Sequence, residues 1–359
     1  MGVSLDKAKE VRKGEDLNEA ALKQYLAKNL GQENGELSVQ QFPSGFSNLT
    51  YLIEFAGTDY VLRRPPFGAN IKSGHDMGRE YKILSSLEGN YDKAPKPILF
   101  CDDHSILGAP FYLMERVQGT ILRASTPEEQ MPSPAQFQSL SSNLVDTLVE
   151  LHQLDYKSIG LGDLGNPEGY VERQVVGWSK RYQKAKTYDN KEMEATALWL
   201  NNNMPKKSGA SLVHNDFKYD NLVLTPDKHL NVKAVLDWEM TTLGDPLMDL
   251  GTTLGYWIHH TDPEFIAENQ LNLTTQKGNP TRGEIVEMYA KKSGQTVDDV
   301  VFYFVFGVFK IAVIVQQIYY RYSLGHTQDP RFKHLDKIVS LYGLVAQQAI
   351  QKKKIDHLF

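Results

Sequence analysis

Asp216, Asn221 and Asp237 are the side chains whose types and spacing could do chemistry. Asp216 follows His214 in a polar loop between two apolar runs, Leu212-Val213 and Leu222-Val223-Leu224. Asn221 stands five residues after it, and Asp237 sixteen after that, closing the run Val232-Lys233-Ala234-Val235-Leu236. An apolar run on either side of a polar loop reads as a tight excursion between buried strands, which sets polar side chains on a rigid base. An acid in such a loop, an amide five residues on and an acid ending the next strand suit phosphoryl transfer. The first acid orients or deprotonates an attacking hydroxyl; the amide and the second acid hold Mg²⁺ on nucleotide phosphates. Mg²⁺ takes hard oxygen ligands, and an amide oxygen with a carboxylate supplies them. Asp and Asn are also common loop residues that bond their own backbone. His214 alone reads as structural, so the pattern gains its meaning from the flanking strands and Asp237.

Upstream elements would have to bring the nucleotide to this loop. Leu37 to Gln41, Leu49 to Phe55 and Tyr60 to Arg64 read as three strands. Ser44, Gly45 and Ser47 lie in the turn between the first two. Small residues with exposed N–H groups can approach phosphate oxygens there, although an ordinary hairpin turn is the plainer reading. Arg63 and Arg64 end the third strand on opposite faces. Arg63 shares the face of Val61 and is expected to point inward, where a kinase holds the phosphates with a lysine; Arg64 is expected to be solvated. The arginine would bring the positive charge as a planar fork. A helix from Gly74 to Leu87 carries Glu80 beside the apolar stripe Met77, Tyr81, Leu84 and Leu87, placed to brace Arg63. Pro97 to Cys101 and Phe111 to Val117 read as two more strands, the second as the inner edge of a five-stranded antiparallel sheet. Glu115 to Gly119 then crosses to a second lobe. Backbone groups of Glu115 and Val117 would be free to meet an adenine edge, with Met114 and Val117 against the ring. The expected division is a nucleotide-binding lobe over residues 1–116 and a catalytic and substrate lobe over 117–359.

The remainder reads as mostly helical. Asp16, with Glu19 three residues on, is the expected cap of a first helix ending at Gly31. Phe137 to Leu154 carries His152, read as a core residue. Trp178 and Tyr182 stand at helical spacing. Asp245 before Pro246 starts another helix, with Asp249 one turn in, and both acids are expected to support the catalytic loop. The uncharged stretch from Val300 to Phe309 stops at Lys310 after ten residues, which suits a core helix rather than a bilayer span. A net charge of −5 argues against a nucleic-acid binder. The single cysteine, Cys101, excludes an internal disulfide and fits a reducing cytosol. With no apolar run near the first residues, the expected location is cytoplasmic, away from membranes.

His214-x-Asp216-x4-Asn221, Asp237-Trp238-Glu239 and Gly244-Asp245-Pro246-Leu247-Met248-Asp249-Leu250 together resemble the aminoglycoside phosphotransferase and choline kinase-like family, from about Leu37 to Tyr320. Within it, Tyr60-Val61-Leu62-Arg63-Arg64-Pro65-Pro66, Arg79-Glu80, and Arg173-Gln174 with Trp178 are similar to the kinase-like N-terminal domain of some large acyl-CoA dehydrogenases. The resemblance implies an α+β, two-lobed protein-kinase-like fold, with a small antiparallel-sheet N-lobe and a larger, mostly helical C-lobe. ATP would sit between the lobes. Carried over, Asp216 is the catalytic base and Lys218 meets the γ-phosphate. Asn221 and Asp237 bind Mg²⁺, Glu80 pairs with Arg63, and Val117 binds adenine through its backbone. Arg63 departs from the family's lysine.

The expected activity is an ATP- and Mg²⁺-dependent phosphotransferase acting on the hydroxyl of a small molecule. The resemblance suggests a hydroxyacyl thioester as acceptor. The rival is a catalytically weak nucleotide-binding or regulatory kinase-like module, favoured by Arg63 and the glycine-poor turn at Ser44. A protein kinase fits less well, because only six residues separate Asp237 from Gly244. Oligomeric state is not legible, since exposed and buried apolar strips look alike in sequence.

Overall fold

The computed structural model describes residues 7–42, 48–68, 75–327 and 329–359. Ser44, Gly45 and Ser47 lie outside the described residues. The chain opens with helix α1 (Glu19–Leu30), capped by Asn18, whose side chain accepts from the Ala21 amide at 3.2 Å, and ended by Gly31 in the left-handed region. Asp16, expected as the cap, lies two residues outside. Both residue types cap well, and the helix buries Leu22 and Leu26 against the sheet behind it.

That sheet consists of β1 (Leu37–Gln41), β2 (Leu49–Phe55), β3 (Thr58–Arg64), β4 (Pro97–Cys101) and β5 (Phe111–Glu115), antiparallel throughout in the order β1-β2-β3-β5-β4. Helix α2 (Met77–Leu87) connects β3 to β4, and the short α3 (His104–Leu107) connects β4 to β5. β5 was expected at an edge and instead lies inside the sheet, with β4 outermost. Phe111 to Met114 are buried on both faces, which suits a strand flanked on both sides.

Alternation along the strands sorts the lobe into two cores. Tyr51, Ile53, Leu62 and Leu113 face α1, while Leu52, Val61, Tyr112 and Met114 face α2 and the rest of the molecule. Arg63 lies on the second face, as its register with Val61 requires. Arg64 is only 2 % exposed, contrary to the expectation of a solvated side chain. Its guanidinium donates to the carbonyls of Pro65 (3.1 Å) and Leu107 (3.0 Å) and stacks 3.7 Å from the centre of the Phe67 ring. Carbonyls and an aromatic face replace the water it would otherwise need.

The second lobe is built from α4 (Pro134–His152), α5 (Tyr170–Ala185), α6 (Lys191–Asn202), α7 (Pro246–Gly255), α8 (Glu264–Ala267), α9 (Arg282–Ser293), α10 (Val300–Ser323) and α11 (Leu335–Lys352). Two small antiparallel pairs are inserted between α6 and α7. β6 (Ser211–Val213) pairs with β9 (Thr242–Gly244), and β7 (Leu222–Leu224) pairs with β8 (Val232–Val235). By length and composition α10 could cross a membrane, but 78% of its most apolar window is buried against neighbouring helices.

α7 and α10 cross backbone to backbone. A Cβ on Gly307 would stand 1.9 Å from the Gly251 carbonyl oxygen, and one on Gly251 would stand 2.2 Å from that of Tyr303. Neither helix can yield without moving its lobe. Gly307→Ala is therefore expected to lower stability by about 3 kcal/mol, at the upper end of overpacking costs. A fall in the urea midpoint at unchanged m-value reads this out.

Candidate functional site

The loop after β6 is held from several sides. Asn215 sits in the left-handed region at φ 68°, a conformation few non-glycine residues adopt unless fixed. Asp249 of α7 accepts from the amides of His214 (2.6 Å) and Asn215 (2.7 Å). Lys310 of α10 donates to the Asn215 carbonyl (2.6 Å), Tyr170 of α5 donates to its side-chain oxygen (3.0 Å), and its Nδ2 donates to the Met240 carbonyl (3.1 Å). Burial would raise the Asp249 carboxyl, but His152, 3.1 Å away, and the two amides hold it below its ordinary value. Asp249 thus supports the loop directly. Asp245 instead caps α7 through the Leu247 amide (2.8 Å) and ties down Gly209 (3.2 Å), upstream of β6. His214 is structural: burial holds its ring neutral, Nε2 donates to the Leu236 carbonyl (3.0 Å), and Nδ1 accepts from the Asp216 amide (3.3 Å).

The sequence-predicted acids and amide meet here. Asp216 Oδ1 accepts from the Tyr256 hydroxyl at 2.7 Å, and Oδ2 accepts from Asn221 Nδ2 at 2.9 Å. Asn221 Nδ2 also donates to the Asp216 carbonyl (2.8 Å), and the Asn221 carbonyl accepts from the Leu236 amide (2.8 Å). That last bond seats Asp237 beside the loop. The Lys218 ammonium lies 3.1 Å from Asp216 Oδ2 and 4.7 Å above the Tyr256 ring. Burial pushes the Asp216 carboxyl up, but Lys218 and the Tyr256 hydroxyl outweigh it and keep the acid ionised. Burial likewise opposes the Lys218 charge, and Asp216 overcomes it. Asp216 is 20% exposed and Asp237 34% exposed, both onto a cleft of about 1120 Å³.

On the other wall of the cleft, Arg63 bridges the lobes. Its Nη1 lies 2.9 Å from Glu80, and its Nη2 lies 3.0 Å from Asp237 and 3.3 Å from Glu239. Burial works against its charge, yet Glu80, leading the surrounding acids, keeps it firmly protonated. Glu239 also accepts from Asn48 Nδ2 at 2.6 Å. Glu115 and Val117 line the cleft. The Glu115 amide is committed to the Lys96 carbonyl at 2.8 Å, whereas Val117 makes no backbone hydrogen bond among the described residues.

Four residues had been given no role in the site from the sequence: Glu239, Tyr256, Lys310 and Arg79, which donates to the Thr241 carbonyl at 2.6 Å. Tyr256 had a signal, because it stands seven residues after Asp249 and so shares its helix face. Lys310 had one too, as the lone charge interrupting a long apolar run.

Burial pushes the Lys310 amine down to about 8, against the opposing pull of Asp249 and Asp216. An unfolded lysine titrates near 10.4, so between those values the unfolded chain binds the extra proton and stability rises with pH. The stability of wild type relative to Lys310→Met is expected to grow by on the order of 2 kcal/mol from pH 8 to pH 10. Urea titrations of both chains across that window read it out, and a flat difference would contradict it.

The sequence matches the phosphotransferase enzyme family over residues 38–280. It is 34% identical over 360 residues to acyl-CoA dehydrogenase family member 11 of Gallus gallus, covering 97% of this chain and 46% of that protein. The chain thus spans less than half the length of the acyl-CoA dehydrogenase relatives it matches. A Ralstonia eutropha protein, named as an aminoglycoside phosphotransferase, has a crystal structure similar to this one. Its TM-score is 0.76 at 30% identity, covering 93% of this chain and 99% of that one. Choline kinase from Cryptosporidium parvum superposes with a TM-score of 0.65 at 13% identity, over 95% of this chain and 98% of that one. At that identity the likeness shows the fold alone: the two-lobed protein-kinase-like arrangement of small antiparallel sheet and larger helical lobe.

Proposed function

This chain belongs to the phosphotransferase enzyme family, and on that premise we propose that it is an ATP- and Mg²⁺-dependent kinase of a small-molecule hydroxyl. The observation that carries this reading is the meeting of Asp216, Asn221 and Asp237 on one cleft, linked by the Asn221 amide and the Leu236 backbone. Asn221 commits its amide nitrogen to Asp216, which leaves its oxygen for a cation. Asp237 gives one oxygen to Arg63 and keeps the other. An amide oxygen with a carboxylate oxygen is a donor set Mg²⁺ accepts. When bound, the ion would neutralise charge on the transferring phosphate.

The residues of the chain divide the remaining work. Asp216 accepts a hydrogen bond from the acceptor hydroxyl and aims its oxygen in line with the phosphorus. An acid held ionised by Lys218 is a weak base, which suits a loose transition state that needs orientation first and proton acceptance late. Lys218 meets the γ-phosphate, Arg63 the inner phosphates, and the Val117 backbone the adenine edge. The names of the relatives make hydroxyacyl thioesters the acceptors to try first. The test is ADP release from Mg²⁺ and ATP over aminoglycosides, choline and 4-hydroxyacyl thioesters, beside a thermal-shift measurement of ATP binding. Acceptor-stimulated release, lowered at least tenfold in Asp237→Asn, is expected. ATP binding with no stimulation by any acceptor would turn the reading to a regulatory nucleotide-binding module.

A further inference from the structure

We infer that the acceptor is elongated and carries a phosphate-bearing tail, held by Arg181, Lys184 and Arg321 at the outer end of the cleft. The inference rests on the reading that the acceptor hydroxyl meets Asp216. One wall of the cleft is formed by α5 and α10. Lys310, Ile314, Gln317 and Arg321 line it from α10 and follow one another at helical spacing, so they form a single stripe. Trp178, Arg181 and Lys184 form the matching stripe on α5.

The α10 stripe starts beside the reacting centre, because Lys310 is bonded to Asn215, the neighbour of Asp216. It ends at Arg321, which stands eleven residues on, a rise of roughly 16 Å along a helix. The inner part of the wall is aromatic and aliphatic, with Trp178 of α5 and Ile314 of α10 lining the cleft. Its outer part is cationic. Arg181, Lys184 and Arg321 are exposed, and none has a carboxylate partner among the described residues; Arg181 stacks 4.7 Å from the Trp178 ring.

The cations near the reacting centre are arranged differently. Arg63 and Lys218 are both paired with acids. No acid from α5 or α10 lines the cleft. Three unpaired cations around one opening repel each other and attract an anion. Guanidinium forks match phosphate oxygens in pairs, and three positive charges suit a phosphate better than a single carboxylate. The same wall would repel cationic acceptors, which is discrimination by built-in repulsion.

The test is calorimetric titration of the whole chain, first saturated with Mg²⁺ and a non-hydrolysable ATP analogue so that the nucleotide site is filled. Fructose 1,6-bisphosphate is the phosphate probe, citrate the carboxylate probe and fructose the neutral one. The bisphosphate is expected to bind, fructose not to, and Arg181→Glu with Arg321→Glu to weaken the bisphosphate at least tenfold while the analogue's affinity stays within twofold. Equal bisphosphate affinity in wild type and variant would overturn the inference. So would parallel loss of analogue affinity, which would assign these cations to the nucleotide, or tighter binding of citrate. If the analogue itself fails to bind wild type, the kinase reading has failed. The bisphosphate titration of the nucleotide-free chain then still decides whether the wall takes phosphate.

Discussion

Asp216→Asn is expected to lower the rate of phosphoryl transfer by about 10²–10⁴-fold while leaving nucleotide affinity within a few-fold. The substitution keeps the size of the side chain and one oxygen, which can still accept from Tyr256, now 2.7 Å from Oδ1. It removes the charge that Lys218 answers and the oxygen that accepts from Asn221 at 2.9 Å. An amide nitrogen there would face two donors and could not accept a proton from the acceptor. The loss therefore falls on the chemical step, and single-turnover ADP formation at saturating ATP is the measurement. Rates equal to wild type would remove Asp216 from the mechanism. Tyr256→Phe is a milder companion: it takes away one hydrogen bond but no charge, and a loss nearer tenfold is expected.

Arg63→Met is expected to destabilise the fold by about 3–5 kcal/mol, because it strands a buried carboxylate. Glu80 is 2 % exposed and 2.9 Å from the guanidinium. Asp237 and Glu239 lose the same partner, but both reach the cleft and can be hydrated. The check is the urea midpoint at neutral pH, repeated with Glu80→Gln and with the double substitution. The double variant should recover most of the loss, since the stranded charge is gone. The penalty should also shrink toward low pH, where Glu80 takes up a proton and no longer needs a cation. A cost below about 1 kcal/mol, as for an exposed ion pair, would show that Arg63 is dispensable to the fold. Arg63→Lys should fall between, because one ammonium cannot fork to Glu80 and Asp237 together.

The meeting of Asp216, Asn221 and Asp237 was legible because their spacing is local. Asp216 and Asn221 share one loop, and Asp237 follows at the end of the next strand. The inward turn of Arg63 was legible for a similar reason, since strand alternation fixes it relative to Val61. Arg64 was misread because its partners are not local: the Leu107 carbonyl comes from α3, forty-three residues on. The place of β5 was misread because strand order depends on how α2 returns the chain, which no pattern within the strand records. Asn18 and Asp16 are both good caps by residue type, and the local pattern does not choose between them. Lys310 is ninety-five residues from the carbonyl it holds. A charge in an apolar run signals that something must satisfy it, without saying what. The fold class, the five-stranded sheet and the helical lobe needed only periodicity and the resemblance of the motifs. The acceptor wall needed two helices to be brought side by side.

The close crossing at Gly251 and Gly307 has a bearing on how this protein could be diversified. Asp249 is two residues from one glycine and Lys310 three from the other, so both clamps on the reacting loop are pinned to the same rigid pivot. Beyond Ile314, Val315 and Gln316 remain core positions, Gln316 donating to the Ala185 carbonyl at 2.8 Å, but Gln317, Ile318 and Arg321 line the cleft. Randomising the cleft-lining positions 314, 317, 318 and 321 together with 181 and 184 of α5 should therefore yield folded variants with altered appetite for acceptors, whereas libraries reaching back across the pivot should be dominated by chains that fail to fold.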